Sequence, residues 1–241
     1  MPGFLPEAPG GRVFAVSRAV RSTEVTPAGR LRFDALARYL QDAAEDDMAD
    51  AGFPEPHVWL LRRCAVAVRG YPAHGERVTL RTFCSAIGPR WAERTTTVTG
   101  PGGDLMQARA VWAAIAPDTG RPVPLGQAFH RLFGAAAQGR YVSARLTHPG
   151  PGPRLARAGR PWPLRASDFD TVGHVNNAVH WAAVEDVLAG CGWLPSSAEI
   201  EYQRPILPGC RPELVTSNGG GRLDVWLTDG TRRLASARLA R

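Results

Sequence analysis

The sequence predicts an α+β fold in which one helix and a meander of strands occur twice along the chain. A helical pattern near residues 33–51 precedes four strand-like runs, each separated from the next by turn-forming residues. The same order returns in the second half, which indicates an internal duplication. With 44% hydrophobic residues in a chain of 241, a large core can form. We therefore predict a sheet wrapped around the helices.

The elements of the first half follow from periodicity and turn chemistry. Residues 12–25 alternate in polarity, which predicts a first strand. Apolar side chains then recur every three or four positions as far as Gly52, where a Gly-Phe-Pro run ends the helix. Further strands are predicted at 60–69, 77–85, 91–99 and 105–116, with breakers rich in Gly and Pro between them.

A shift of 140 positions aligns the two halves, because it places Glu45 on Glu185 and Gly52 on Gly192. We accordingly expect four regions in the chain. They are a flexible tail (1–11), a first copy (12–120), a connecting segment that runs over the surface (121–160) with a short helix near 127–137, and a second copy (161–241).

Composition limits the classes of partner and compartment. The net charge is +7 and the pI about 10.0, and all 29 basic residues are arginine. The arginines are scattered and no nucleic-acid motif accompanies them, so we expect no nucleic-acid binding and favour an acidic partner. No apolar run approaches the ~18 residues of a membrane span, and no secretory leader is visible. We expect a cytoplasmic protein with reduced thiols.

The densest group of chemically capable side chains lies in residues 165–185. Asp170, His174, Asn176 and Asn177 come together just before an apolar helical pattern. The N–H groups at a helix N-terminus can stabilise a developing oxyanion, an Asp can act as nucleophile or base, and a His can exchange protons near neutral pH. The same residue types also occur as helix caps and in turns for structural reasons alone.

The first copy lacks this group, and a metal site is not indicated. The shift of 140 sets Asp170 on Arg30 and His174 on Asp34, so the first copy is expected to be degenerate and to complete the sheet. His174 and His180 are six residues apart and do not share a helical face, and no metal-binding spacing of Cys or His is present. We expect neither a metal nor a cofactor.

The run from Ser167 to Asn177, Ser-Asp-Phe-Asp-Thr-Val-Gly-His-Val-Asn-Asn, resembles the hotdog-fold thioesterases, in particular the acyl-ACP thioesterases of plants and bacteria. Glu185, eleven residues after the histidine, belongs to the same resemblance, and Tyr202 opens a segment similar to the Tyr-Arg-Arg run of that family. The resemblance implies a tandem double hotdog, in which two central helices are wrapped by a continuous antiparallel β-sheet and an acyl chain lies in an apolar tunnel.

The resemblance carries over only some of the catalytic residues. Asp170 and His174 match, whereas the position of the family Asn holds Val172 and the position of the family acid holds Pro205. The Asp-x-x-Gly-His turn is equally similar to that of hotdog thioesterases acting on CoA esters. We expect Asp170 to act as base or nucleophile and His174 to position water or substrate.

Further residues are expected to contact the substrate. N–H groups near Val175 and Asn176 are predicted to bind the carbonyl oxygen. Glu185 is aligned with Glu45 of the copy that lacks the site, which favours a structural role for both. The substrate-binding set is Val172, Val175, Asn176, Asn177 and Glu185.

The resemblance implies an acyl thioester hydrolase that releases a free fatty acid from acyl-ACP. Two alternatives remain open: an acyl-CoA thioesterase of the same fold, or a hotdog that binds acyl groups without hydrolysing them. Another acyl-thioester reaction, such as hydration, ranks lower, because such enzymes are expected to arrange Asp and His differently. The expected partner is acyl-ACP, an acidic carrier, or acyl-CoA, and a homodimer is compatible with this prediction.

Overall fold

A computed structural model describes residues 4–54 and 57–241, which form both α-helices and β-strands. The helices are α1 (Phe33–Asp50), α2 (Gln127–Ala137), α3 (Pro153–Ala156) and α4 (Asn177–Leu188). The strands are β1 (Phe14–Ala19), β2 (Val58–Val68), β3 (Arg77–Ile87), β4 (Trp91–Gly100), β5 (Gly103–Ile115), β6 (Arg160–Pro161), β7 (Ser197–Tyr202), β8 (Glu213–Gly219), β9 (Arg222–Asp229) and β10 (Arg232–Ala240).

The ten strands form one antiparallel sheet, in the order β1-β3-β4-β5-β2-β7-β10-β9-β8-β6. The two halves of this order mirror each other about the β2–β7 pair, where Arg63 lies opposite Glu201 and Ala67 opposite Ser197. The predicted fold class is therefore confirmed, and the seam between the halves is an ordinary strand pairing.

Helices α1 and α4 pack against each other and share one core with the sheet. Phe33, the first residue of α1, stacks on Trp181 of α4 with ring centroids 5.3 Å apart and an interplanar angle of 22°. Both rings are almost fully buried. This pair fixes the start of α1 against the middle of α4. Among residues 4–54 and 57–241, no helix combines the length and the apolarity that a membrane span requires.

The connecting segment contacts the rest of the fold at several places, of which two are the most extensively buried. The helix predicted near residues 127–137 is α2, whose buried Phe129 and Phe133 form a second core with Met48 and Phe53. Farther along, Glu201 accepts hydrogen bonds from the backbone N–H groups of residues 147 and 148 at 2.6 and 3.0 Å. A fully buried carboxylate thus holds the segment across the β2–β7 seam.

Residues 4–11, for which a flexible tail was predicted, contact the strands; the first three residues lie outside the described part. The backbone of Leu5 exchanges two hydrogen bonds with the side chain of Gln107, at 2.7 and 2.9 Å. Glu7 binds Arg81 at 2.6 Å. Segment 4–11 therefore lies on the strands, because its polar and charged groups find partners there.

Candidate active site

The predicted catalytic turn is ordered by its own backbone. Asp170 donates its N–H to the carbonyl of His174 at 2.8 Å, and its Oδ1 accepts from the N–H groups of Val172 and His174 at 3.1 and 3.0 Å. Gly173 has φ of +77°, which a residue without Cβ adopts at little cost. Within the described residues no donor reaches Oδ2 of Asp170. One oxygen of this carboxylate therefore builds the turn and the other remains available.

The start of α4 corrects the predicted set of carbonyl-binding N–H groups. The N–H of Val175 is donated to the carbonyl of Ile206 at 3.0 Å, and that of Asn176 to Asp168 at 2.9 Å. Both donors are therefore occupied. The Asn176 side chain caps the helix by accepting from Ala178 at 2.9 Å, which is a structural role. The N–H of Asn177 makes no hydrogen bond with any described residue, so it is the donor that a ligand can use.

A cavity of about 600 Å³ opens beside this turn. Asp170, Thr171, Val172 and Asn177 line one side of it, and the remaining lining comes from the first half of the chain and α2. That larger part includes Gln41, Ala44, Glu45, Met48 and Ala49 of α1, and Phe53, Trp59, Cys84, Ala92, Trp112 and Phe129. The apolar wall suits a hydrocarbon chain, and the polar side holds the carboxylate of Asp170.

Two charged residues in the cavity lining are neutralised by neighbours. Arg94 binds the buried Asp47 at 2.5 Å, and the buried Glu93 accepts from Ser85 at 2.8 Å and from Arg109 at 2.9 Å. Burial also raises the pKa of the Cys84 thiol to about 12, so this thiol stays protonated. These groups shape the cavity, and none of them is a free charge facing an acyl chain.

The structure corrects the alignment of the two halves. The turn before α1 repeats the turn before α4 at a spacing of 144 residues: Thr26 donates to the carbonyl of Arg30 at 2.8 Å, as Asp170 does to His174. The helices also begin 144 apart, at Phe33 and Asn177, whereas the glycines that follow them are 140 apart. The stretch from the start of the helix to the following glycine is thus four residues, or about one turn, longer in the first half than in the second. Asp170 therefore corresponds to Thr26, and His174 to Arg30.

This correction changes the assignment of Glu185, which does not line the cavity. It is buried, binds Arg30 through two hydrogen bonds of 3.1 and 2.8 Å, and accepts from the N–H of Phe33 at 2.6 Å. An ion pair and a helix N-terminus occupy both carboxylate oxygens, which is a structural role. In the first half, the place equivalent to the candidate site is filled by this ion pair.

The remaining predicted residues fall in different surroundings. Val172 is 56% exposed at the cavity, and Pro205 is exposed on the segment after β7. His174 contributes its backbone to the turn, and its half-buried ring is not part of the described cavity lining. His180 is buried, and burial lowers its pKa to about 4, so its ring is neutral and bonds to the carbonyl of Asn176 at 3.1 Å.

Models of two protein domains match this chain. The acyl-ACP thioesterase N-terminal domain matches residues 11–132, and the acyl-ACP thioesterase C-terminal domain matches residues 156–229. The chain belongs to the acyl-ACP thioesterase family. It is thus an acyl thioester hydrolase, and the two halves of its sheet are the two hotdogs of that family.

Similar proteins agree with this acyl-ACP thioesterase assignment in their fold. The chain is similar to the 12:0-ACP thioesterase from Umbellularia californica, with a TM-score of 0.79, 22% identity and coverage of 95% of this chain and 96% of that one. An acyl-ACP thioesterase from Bacteroides thetaiotaomicron gives a TM-score of 0.76 at 18% identity, covering 95% and 97%. An uncharacterised protein of Mycobacterium tuberculosis is 29% identical over 204 residues, which are 83% of this chain and 80% of that protein.

Sequence reasoning missed the polar residues that α1 contributes to the cavity beside Asp170. Gln41 and Glu45 line the same cavity as Asp170, although 129 and 125 residues separate them from it in the chain. The only available signal was the polar face of α1 within the duplicated pattern. That signal is weak, because polar residues on a helix face usually contact solvent.

Proposed function

We propose that this protein hydrolyses acyl-ACP, with Asp170 as the general base that activates water. The observation that carries the proposal is the position of Asp170, whose Oδ1 is held by two backbone N–H groups while its Oδ2 remains available at an apolar cavity. The acyl chain would occupy the cavity, and the thioester carbonyl would accept from the N–H of Asn177 at the positive end of α4.

The reaction then proceeds in two steps. Asp170 removes a proton from a water molecule while the water oxygen bonds to the carbonyl carbon, and the negative charge that forms on the carbonyl oxygen is stabilised by Asn177. The tetrahedral intermediate collapses, the C–S bond breaks, and the thiolate takes the proton back from Asp170. The products are a fatty acid and the thiol of the carrier. His174, which closes the turn on Asp170, is proposed to position the water or the substrate.

A basic pocket supports an acidic carrier as the partner. Five arginines line a second cavity of about 630 Å³: Arg62, Arg145, Arg204, Arg232 and Arg233. None of the five forms an ion pair with a carboxylate of residues 4–54 or 57–241, although other arginines in these ranges form fourteen. The pocket also includes Gln203. The neighbouring Tyr202 donates its hydroxyl to the carbonyl of Asn177 at 3.2 Å. Unpaired arginines adjoining the segment that supports the catalytic turn suit a polyanionic partner.

The test is thiol release from acyl-ACP, acyl-CoA and acyl-N-acetylcysteamine, measured on the wild type and on Asp170→Asn. The amide oxygen of Asn can still accept from Val172 and His174, so the turn should persist while the base is lost. We expect kcat/KM to fall by about 10²–10⁴-fold. Asp46→Asn, an exposed change on α1 without a described hydrogen bond, is the matched control.

The panel separates the alternatives. Preference for acyl-ACP supports the proposal, and equal or better release from acyl-CoA would replace the carrier by CoA. Equal rates for wild type and Asp170→Asn would refute Asp170 as the base. Binding without release from any thioester would favour the reading in which Val172 and Pro205 mark a lapsed enzyme.

A further inference from the structure

Helix α1 carries a polar pair at the cavity that the catalytic turn itself does not explain. Gln41 and Glu45 both line the cavity, and the Gln41 side chain donates to Oε1 of Glu45 at 3.2 Å. A carboxylate only accepts hydrogen bonds, so this contact places the nitrogen of the Gln41 amide toward Glu45. The amide nitrogen carries two hydrogens. One is donated to Glu45, and the second remains for a ligand.

The internal duplication shows what this position of the helix can reach. Gln41 is eight residues after the first residue of α1, and Glu185 is eight residues after the first residue of α4. Glu185 of α4 accepts from the first N–H of α1, that of Phe33, at 2.6 Å. The ninth residue of one helix thus lies opposite the N-terminus of the other. The same relation predicts that Gln41 lies opposite the N–H of Asn177, and both residues line the cavity.

The two ends of this relation differ in chemistry. At the start of α1, Glu185 of α4, Arg30 and the N–H of Phe33 are in direct contact, which leaves no donor for a ligand. At the start of α4, the N–H of Asn177 is accepted by no described residue, and Gln41 of α1 lines the same cavity. An oxygen atom of a ligand placed between them would receive hydrogen bonds from both, which is the arrangement of an oxyanion hole.

We infer that Gln41 is a catalytic residue that donates, together with the N–H of Asn177, to the thioester carbonyl oxygen, and that Glu45 is a positioning residue for Gln41. The inference rests on the proposed function, since it concerns the same carbonyl that water attacks. It means that the first hotdog supplies one of the two donors, so the active site requires both halves of the chain.

Two substitutions of Gln41 distinguish donation from simple packing. Gln41→Met keeps the length of the side chain and removes the donor, and we expect kcat/KM for acyl-ACP to fall by about 10²–10³-fold. Gln41→Glu keeps the shape more closely, yet its carboxylate would accept from Asn177 as Glu185 does from Phe33. We therefore expect Gln41→Glu to be the slower of the two. If Gln41 only fills space, the near-isosteric Glu would be the milder change.

Binding of two substrate analogues on the same carrier gives a readout that a structural role would not move. In the ketone analogue a methylene replaces the thioester sulfur, and in the thioether analogue a methylene replaces the carbonyl. We expect Gln41→Met to weaken binding of the ketone analogue by about 2–10-fold and to leave binding of the thioether analogue unchanged. Glu45→Gln should lower kcat by a smaller factor, and Asp46→Asn should not lower it.

The results also separate this inference from the proposed function. Wild-type kcat/KM in Gln41→Met, or equal losses of both analogues, would overturn the role of Gln41 while hydrolysis by Asp170 stands. A loss of activity in Asp170→Asn together with unchanged ketone binding in Gln41→Met would likewise leave the base in place and remove the second donor.

Discussion

Replacement of Glu185 by Gln should destabilise the protein without disabling its chemistry. The carboxylate is 7% exposed and its partner Arg30 is 13% exposed, so the pair is largely shielded from solvent. Gln retains one acceptor for the N–H of Phe33, but it removes the charge that compensates the guanidinium of Arg30. Breaking a buried pair by removing one partner costs about 3–5 kcal/mol. We expect a loss of this size in the free energy of unfolding.

Urea unfolding and thermal melting measure this change. For a chain of this length about 2–4 °C is lost per kcal/mol, so the midpoint should fall by about 6–20 °C. Adding Arg30→Gln to Glu185→Gln removes the uncompensated charge, and the double variant should regain part of the stability. The kcat/KM of the folded protein should stay close to wild type. A variant with wild-type stability and a large loss of kcat would refute this reasoning and return Glu185 to the substrate.

Two further predictions concern pH and charge. Burial lowers the pKa of His180 to about 4, below the ordinary 6.5, so the folded protein should lose up to about 3 kcal/mol of stability as the pH falls from 6.5 towards 4. Urea titrations at several pH values should show a flatter dependence of stability on pH in His180→Phe, and an unchanged dependence would contradict the prediction. The double variant Arg204→Gln, Arg232→Gln should raise the KM for acyl-ACP by about tenfold at low salt and leave the KM for acyl-N-acetylcysteamine unchanged. High salt screens charges, so a difference in KM that persists there would argue against recognition of the carrier by charge.

The local structure could be read from the sequence because it depends on neighbouring residues. Apolar periodicity located α1 and α2 within about one residue, and alternating polarity located the long strands of the first half within about two residues at each end. The turn at Asp170 was also visible, since Gly173 and the polar residues around it are a local signal. These features follow from backbone preferences and from the need to bury one face of each element.

The composition of the site was decided by the tertiary structure. The match of Glu45 with Glu185 suggested a shift of 140, whereas the packed helices are related at their N-termini by 144, because α1 and its end contain an additional turn. The residue that contacts a helix N-terminus is determined by its position along the opposing helix. Matching residue types in the sequence does not reveal that position. The sequence alone therefore predicted the turn at Asp170 and the fold, while only packing across the halves placed Gln41 in the same cavity as Asn177 and bound Glu185 to Arg30.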